Sequence, residues 1–222
     1  KKRKIYYLMK NLYIFGDSFS TNFSTINEIE IEDSWPNLLA DKMGYTLKNF
    51  ASAGISNYGI LNSIYKNLEI KKIDYSDLVI IGFTFYDRIY DFYKDRGIDL
   101  RNENTEGYSD YEVLFYKNKF VDENAMLQYT HTALLQYKFI IDSLKSKGIK
   151  FLFWNMDKCG LSLFDNLIKN NENNYLKPYT KSCWIDYCNS KPDWWQTNND
   201  RHFGKLGHKE FFEYLYRYIQ KL

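Results

Sequence analysis

The chain has 222 residues, 45% of them hydrophobic and 26% charged, which is typical of a globular protein and not of a disordered or fibrous one. The formal net charge is +2, and the first eight residues, KKRKIYYL, carry four of the positive charges, so the remainder is mildly acidic. A nucleic-acid-binding domain is expected to be basic over a whole face, which this balance argues against. No stretch approaches the roughly 18 apolar residues of a membrane helix.

The beginning of the chain does not read as a secretory signal peptide. Such a peptide needs an apolar stretch of about 7–15 residues and a small-residue cleavage site, and neither precedes the first Gly-Asp-Ser. We interpret residues 1–8 as an extension or arm and residues 9–222 as a single domain. The three cysteines are odd in number and form no C-x-x-C pair, which argues against a metal site or a disulfide framework. These features favour a cytoplasmic location.

The first predicted strand and helix are bounded by clear signals. Asn11–Phe15 is a short apolar run that ends in Gly-Asp-Ser, which predicts a buried strand breaking into a turn. Ser34 is a good helix cap and Pro36 suits the first turn, so a helix is predicted to begin there. Gly44 is expected to end that helix.

The next elements continue the alternation of strands and helices. A second strand is predicted over residues 45–51, and apolar residues at helical spacing predict a second helix over residues 57–68. Residues 77–82, DLVIIG, are apolar almost throughout, which is typical of a central parallel strand. Together with the first strand, this order favours a parallel sheet with helical connections.

The second half mixes regular and irregular segments. Residues 85–124 lack a clear period until residue 111, and we interpret them as an insertion or lid. A long helix is predicted over residues 125–147, a fourth strand over 150–154 and a final helix within 204–222, with a mixed segment over 158–196. The whole pattern predicts an α/β protein, a three-layer α/β/α sandwich with a mostly parallel sheet.

Four polar turns fall where predicted strands end or where the last helix begins. They are Gly-Asp-Ser at 16–18, Ala-Gly-Ile-Ser-Asn at 53–57, Gly-Phe-Thr at 82–84 and Asp-Arg-His at 200–202. Ligands of such sheets bind at the carboxyl ends of the strands. A serine on a tight strand-to-helix turn, with a histidine and an aspartate, is the set needed for nucleophilic acyl transfer. Backbone N–H groups of the same turn are suited to hold an oxyanion.

This set resembles the GDSL or SGNH hydrolase superfamily, which has a flavodoxin-like α/β/α fold. F-G-D-S-F-S matches its first block, F-A-S-A-G-I-S-N its second, and D-R-H-F-G-K-L-G-H stands at its terminal D-x-x-H block. The resemblance runs in order from Asn11 to the end of the chain. It implies that Ser18 is the nucleophile, that His202 is the general base, and that backbone N–H groups of Ser18 and Gly54 contribute to the oxyanion hole.

The sequence departs from the family pattern at two positions. Thr84 stands where the third block, G-x-N-D, has its asparagine, so the third oxyanion donor is either Thr84 or Asn57. Asn199 stands three residues before His202, where the family has its acid. Asp200 is the neighbouring carboxylate. Either Asp200 serves as the acid, or a backbone carbonyl orients His202.

Other features of the sequence have two alternative interpretations. Asp87 and Arg88 follow the third strand and either contact the substrate or pair with each other. Asp17 is interpreted as a structural residue of its turn. Aromatic residues make up 19% of the chain, which either serves a sugar-binding lid or reflects composition bias and core packing.

We therefore expect a serine esterase that removes a small acyl group such as acetyl, with a carbohydrate ester as the preferred substrate and no metal or organic cofactor. An acyltransferase on the same fold is the first alternative. The second is a catalytically degenerate module that binds a glycan or a protein, which Thr84 and Asn199 favour. No nucleic-acid or membrane partner is expected, and the sequence leaves the oligomeric state open.

Overall fold

The computed structural model describes most of the chain, and the following account is confined to those residues: 10–21, 31–68, 72–85, 88–91, 94, 96–99, 108–119, 123–157, 162–178, 183–195 and 202–222. The extension predicted for residues 1–8 lies outside them. So do four residues that the sequence analysis discussed: Asp87, Cys159, Asn199 and Asp200.

The described residues form the following strands and helices. The strands are β1 (Asn11–Phe15), β2 (Thr46–Asn49), β3 (Leu78–Phe83), β4 (Arg88–Asp91), β5 (Arg96–Asp99) and β6 (Lys150–Asn155). The helices are α1 (Trp35–Met43), α2 (Asn57–Asn67), α3 (Asp110–Lys119), α4 (Glu123–Ser146), α5 (Ser162–Lys169), α6 (Trp184–Asn189) and α7 (Lys205–Ile219).

Four strands form one parallel sheet in the order β2-β1-β3-β6. β3 lies inside this sheet and all six of its residues are buried, as its apolar sequence predicts. Its side chains alternate between the faces: Leu78 and Ile80 join one core, Val79 and Ile81 the other. The predicted parallel sheet is therefore confirmed.

Helices cover both faces of the sheet. On one face the core is built with side chains of α1, α6 and α7, including Trp35, Trp184 and Phe211. On the other face α2, α4 and α5 supply the core, with residues such as Ile60 and Tyr137. This confirms the three-layer α/β/α sandwich, and the strand order is that of the first four strands of a flavodoxin-like sheet.

Two segments hold structure that the sequence analysis did not predict. Within residues 85–124, β4 and β5 form an antiparallel hairpin that is followed by α3. Each hairpin strand has only four residues and is rich in charged side chains. The alternation of apolar and polar residues that predicts a strand is therefore missing. In the mixed segment 158–196, the short helices α5 and α6 were likewise missed, because six to eight residues give little periodic signal.

Helix α1 begins and ends as predicted but with a different cap. Ser34 precedes the helix, yet its side chain makes no capping hydrogen bond. The backbone N–H of Trp35 instead donates to Nδ1 of His208 on α7, at 3.3 Å. Gly44 ends the helix with φ of +65°, a left-handed conformation that glycine adopts without strain.

None of the helices in the described ranges is both long enough and apolar enough to cross a membrane.

Candidate active site

The site lies at the point where the strand order of the sheet reverses, between β1 and β3. From β1 the chain moves outward to β2, and it then returns past β1 to form β3 on the other side. The loops that follow β1 and β3 therefore diverge and leave a crevice at the carboxyl edge, which is where such sheets bind ligands. Ser18 follows β1, and Thr84 follows β3.

Ser18 opens a single 3-10 turn, Ser18–Ser20, directly after β1. Asp17 caps this turn, because its carboxylate accepts a hydrogen bond of 3.1 Å from the backbone N–H of Phe19. A Cβ atom at position 16 would lie 2.5 Å from the hydroxyl oxygen of Ser20, so only glycine fits there. The Gly-Asp-Ser motif is thus the sequence that this tight turn requires.

The structure brings Ser18 and His202 together from opposite ends of the chain. Nε2 of His202 lies 2.9 Å from Oγ of Ser18. The imidazole stacks on the ring of Phe19, with centroids 5.4 Å apart and planes inclined by 30°. Phe203, the next residue, forms a β-bridge with Trp195, which fixes the backbone just before α7. A nucleophile and base at this distance can exchange a proton directly.

Gly54 lies in the loop after β2, with φ of +71°. Two hydrogen bonds tie this loop to the nucleophile turn: the N–H of Ser52 donates to the carbonyl of Gly16 (3.0 Å), and the amide of Asn49 donates to the carbonyl of Ser20 (2.9 Å). No acceptor within the described ranges takes a hydrogen bond from the backbone N–H of Ser18 or Gly54. Both donors are therefore available to a ligand oxygen.

The side chains of Thr84 and Asn57 are engaged with protein groups instead. The Thr84 hydroxyl donates to Oδ2 of Asp17 at 2.6 Å. The Asn57 side chain accepts from the N–H of Thr84 (3.0 Å), and its amide donates to the Thr84 carbonyl (3.2 Å). The Asn57 amide also lies 3.5 Å from the Phe85 carbonyl, so both predicted candidates for the third oxyanion donor have protein partners. They join the second and third blocks to the nucleophile turn.

Arg88 meets the nucleophile turn through a contact that the sequence analysis missed. Nη1 of Arg88 donates to Oδ2 of Asp17 at 3.1 Å and to Oγ1 of Thr84 at 2.7 Å. Of the two readings for Arg88, an ion pair is therefore present, but its partner is Asp17. Asp87 lies outside the described residues. A partner 71 positions away leaves no local signal, although the buried Asp17 and the unusual Thr84 both belong to the recognised blocks.

The next histidine along the chain, His208, is a structural residue. It is buried, and its Nδ1 accepts from the backbone of Trp35. Burial, together with the nearby His202, lowers the pKa of His208 to about 4. The side chain is therefore neutral near pH 7 and acts as a hydrogen-bond acceptor.

The cysteines within the described ranges are not reactive groups of this site. Cys183 and Cys188 are free and buried. Burial raises the pKa of both thiols, to about 12 at Cys188, which keeps them protonated near neutral pH.

A small cavity adjoins the third block beneath the carboxyl ends of β3 and β6. Its volume is about 20 Å³, which is room for one or two water-sized groups. Its walls are mostly apolar: Phe83, Ala133, Leu134, Tyr137 and Phe164, with Asn57, Thr84, Thr130, Asn155 and Asp157 at the polar side.

Comparison with solved structures identifies the fold. The esterase EstA from Pseudoalteromonas sp., in a structure inhibited by monoethylphosphonate, matches with a TM-score of 0.56 and 14% identity over 96% of this chain and 97% of that one. A member of the lipolytic protein G-D-S-L family from Veillonella parvula matches with a TM-score of 0.54 and 10% identity over 96% and 100%. An acetyl xylan esterase matches with a TM-score of 0.50 and 12% identity over 93% and 98%.

No protein-family model matches the sequence, and no curated protein matches it significantly. The structural likeness nonetheless extends over nearly the whole chain. This protein has the fold of the G-D-S-L lipolytic proteins. The resemblance to the GDSL/SGNH superfamily that the motifs indicate is thereby confirmed at the level of the fold.

Proposed function

We propose that this protein is a serine esterase that removes a small acyl group through an acyl-enzyme. The observation that carries the proposal is the 2.9 Å approach of His202 Nε2 to Ser18 Oγ. Two further features support it: the pair lies at the carboxyl edge of a parallel sheet, and two unengaged backbone N–H groups belong to the adjacent turns.

The proposed reaction begins when His202 accepts the proton of the Ser18 hydroxyl and the oxygen attacks the ester carbonyl. The carbonyl oxygen becomes an oxyanion, which the N–H groups of Ser18 and Gly54 stabilise. The imidazolium then donates its proton to the leaving alkoxide, which departs as the alcohol. Water attacks the acyl-enzyme with His202 again as base, and this releases the acid and restores Ser18.

Asp200 is the proposed orienting acid. A carboxylate beside the imidazole stabilises the imidazolium that forms during attack, whereas the neutral amide of Asn199 does not. The proposal for Asp200 rests on its position two residues before His202.

We propose an O-acetyl ester, carried by a carbohydrate, as the substrate. Trp195, a partly buried ring 6.4 Å from the Phe19 ring on which His202 stacks, offers an aromatic surface near the histidine. One matching structure is that of an acetyl xylan esterase, and it supports this choice of substrate class.

The test compares the wild-type protein with Ser18→Ala and a matched control, Ser20→Ala. Ser20 lies in the same 3-10 turn, and its buried hydroxyl has no hydrogen-bond partner within the described ranges, so its removal should be nearly neutral. We expect p-nitrophenyl acetate turnover and fluorophosphonate labelling in the wild type and Ser20→Ala. Ser18→Ala should lose labelling and at least about a thousandfold in kcat, with little change in Tm.

Wild-type protein that neither turns over the ester nor takes the label would exclude the serine-hydrolase proposal. The acyl size is tested separately with acetyl, butyryl and octanoyl p-nitrophenyl esters. A preference for octanoyl would contradict the small-acyl substrate. Release of acetate from acetylated xylo-oligosaccharides, measured against p-nitrophenyl acetate, tests the carbohydrate part.

A further inference from the structure

A buried carboxylate lies directly beside the candidate nucleophile. Asp17 precedes Ser18 in the chain, and only 3% of its side chain is exposed. One oxygen accepts from the N–H of Phe19, and the other accepts from Thr84 and Arg88. A buried negative charge is costly unless a positive group compensates it. Next to Ser18 it would also oppose the negative charge that develops on an oxyanion.

Arg88 is the group that compensates this charge. Its Nη1 lies 3.1 Å from Oδ2 of Asp17, and only 11% of its side chain is exposed, so the pair is poorly screened by water. The guanidinium also lies over the ring of Phe85, with Cζ 4.8 Å from the centroid, which favours a cation in this place. Arg88 is the first residue of β4, so the β4–β5 hairpin positions this positive charge beside the nucleophile turn.

The threonine of the third block completes the same network. Thr84 donates to Asp17 and accepts from Arg88, so the three side chains form a closed set of hydrogen bonds. A hydroxyl can donate and accept at one atom, whereas the nitrogen of an asparagine amide only donates. Thr84 therefore serves Asp17 and Arg88 through a single oxygen atom.

We propose that Arg88 is a positioning residue that cancels the charge of Asp17 at the nucleophile turn, so that an oxyanion can form beside Ser18. This inference deepens the proposed esterase function and rests on it. Arg88 acts here through Asp17 and Thr84 and not by touching the substrate.

The test measures the pKa of His202 by NMR titration, because this value responds to charge whether or not the protein is an esterase. Arg88→Met leaves Asp17 uncompensated, and a nearby negative charge stabilises the imidazolium, so the His202 pKa should rise by about half a unit or more. Asp17→Asn leaves Arg88 uncompensated and should lower it by a similar amount. The double variant Asp17→Asn/Arg88→Met carries neither charge and should return close to the wild-type value.

The remaining charged groups near the pair are held constant across these variants. His208 is buried and neutral near pH 7, and it is the same in all of these variants. Lys94→Met is the matched control. It removes a cation of the same insertion that pairs with Glu112 at 2.8 Å, and it should leave the His202 pKa unchanged.

The kinetic arm uses p-nitrophenyl acetate. We expect Arg88→Met to lower kcat about a hundredfold with little change in KM, and the double variant to recover to within about tenfold of the wild type. The acidic-side limb of the pH profile of kcat/KM, which reports deprotonation of the base, should move to higher pH in Arg88→Met and return in the double variant.

Two results would overturn the proposal: a His202 pKa that is the same in Asp17→Asn as in the wild type, or a folded double variant with kcat as low as that of Arg88→Met. If Arg88→Met does not fold, two variants still test the proposal. Asp17→Asn should lower the His202 pKa, and the double variant should return it towards the wild-type value. Wild-type protein without esterase activity would refute the proposed function, and the NMR titration would still decide whether Arg88 cancels the charge of Asp17.

Discussion

The segment just before α7 and the first turn of α7 each hold a histidine, six positions apart, and the two are placed very differently. His202 is partly exposed, stacks on Phe19 and faces the hydroxyl of Ser18. His208 is buried, lies edge-on to Phe203 and accepts from the backbone of α1. The same side chain is thus suited to proton transfer in one place and to helix capping in the other, because burial and partners decide whether the ring can change its charge.

The first prediction separates these two histidines by substitution. His202→Ala should lower kcat for p-nitrophenyl acetate by about a thousandfold or more while leaving Tm nearly unchanged, because the base is lost but little packing is. His208→Asn should keep most of the activity and lose about 1–3 kcal/mol of unfolding free energy, because a buried ring is truncated. Activity assays and thermal unfolding of both variants check this; a reversed pattern would mean that His208 is the base.

The second prediction concerns what orients His202. If Asp200 is the acid, Asp200→Asn should lower kcat by about a hundredfold to ten-thousandfold, because an amide cannot stabilise the imidazolium. Asn199→Ala, its neighbouring control, should do much less. Both variants are to be assayed on one activated ester. Near-wild-type kcat in Asp200→Asn would instead indicate a Ser18–His202 dyad.

The third prediction uses pH to show that His208 does not titrate near neutrality. The pKa of His208 is lowered from 6.5 to about 4 in the folded protein, so the unfolded chain binds the extra proton first as the pH falls. The contribution of His208 to the free energy of unfolding is therefore complete above pH 6.5. It decreases as the pH falls towards 4, by about 3 kcal/mol in total. Denaturant titrations should show the advantage of the wild type over His208→Asn shrinking over that range. A constant difference would contradict the buried, neutral placement.

The sequence predicted the sheet and the Ser18–His202 approach because their signals are local. A wholly apolar run such as DLVIIG fits a central parallel strand, and Gly-Asp-Ser after a strand fits a tight turn with a close backbone approach at Gly16. Once strands and helices alternate, the topology brings the strand ends and the segment before the last helix to one edge. The neighbourhood of Ser18 and His202 follows from that arrangement.

Contacts between residues far apart in the sequence could not be predicted from local sequence patterns. Whether Arg88 pairs with Asp87 or with Asp17 depends on where the hairpin β4–β5 folds back, and its short charged strands give no periodic signal. Thr84 forms hydrogen bonds with residues 27 and 67 positions away, Asn57 and Asp17, and no local pattern predicts them. Ser34 likewise has the composition of a cap, but His208, from the far end of the chain, satisfies the first N–H of α1.

The separation of 184 positions between Ser18 and His202 also sets the order of events during synthesis. Contacts of such long range form late, because a long loop must close before they stabilise anything. On the ribosome the nucleophile turn emerges well before α7, which supplies Phe211 and Leu215 to the core. A nascent chain therefore cannot assemble the Ser18–His202 pair until the segment that carries His202 has left the ribosome.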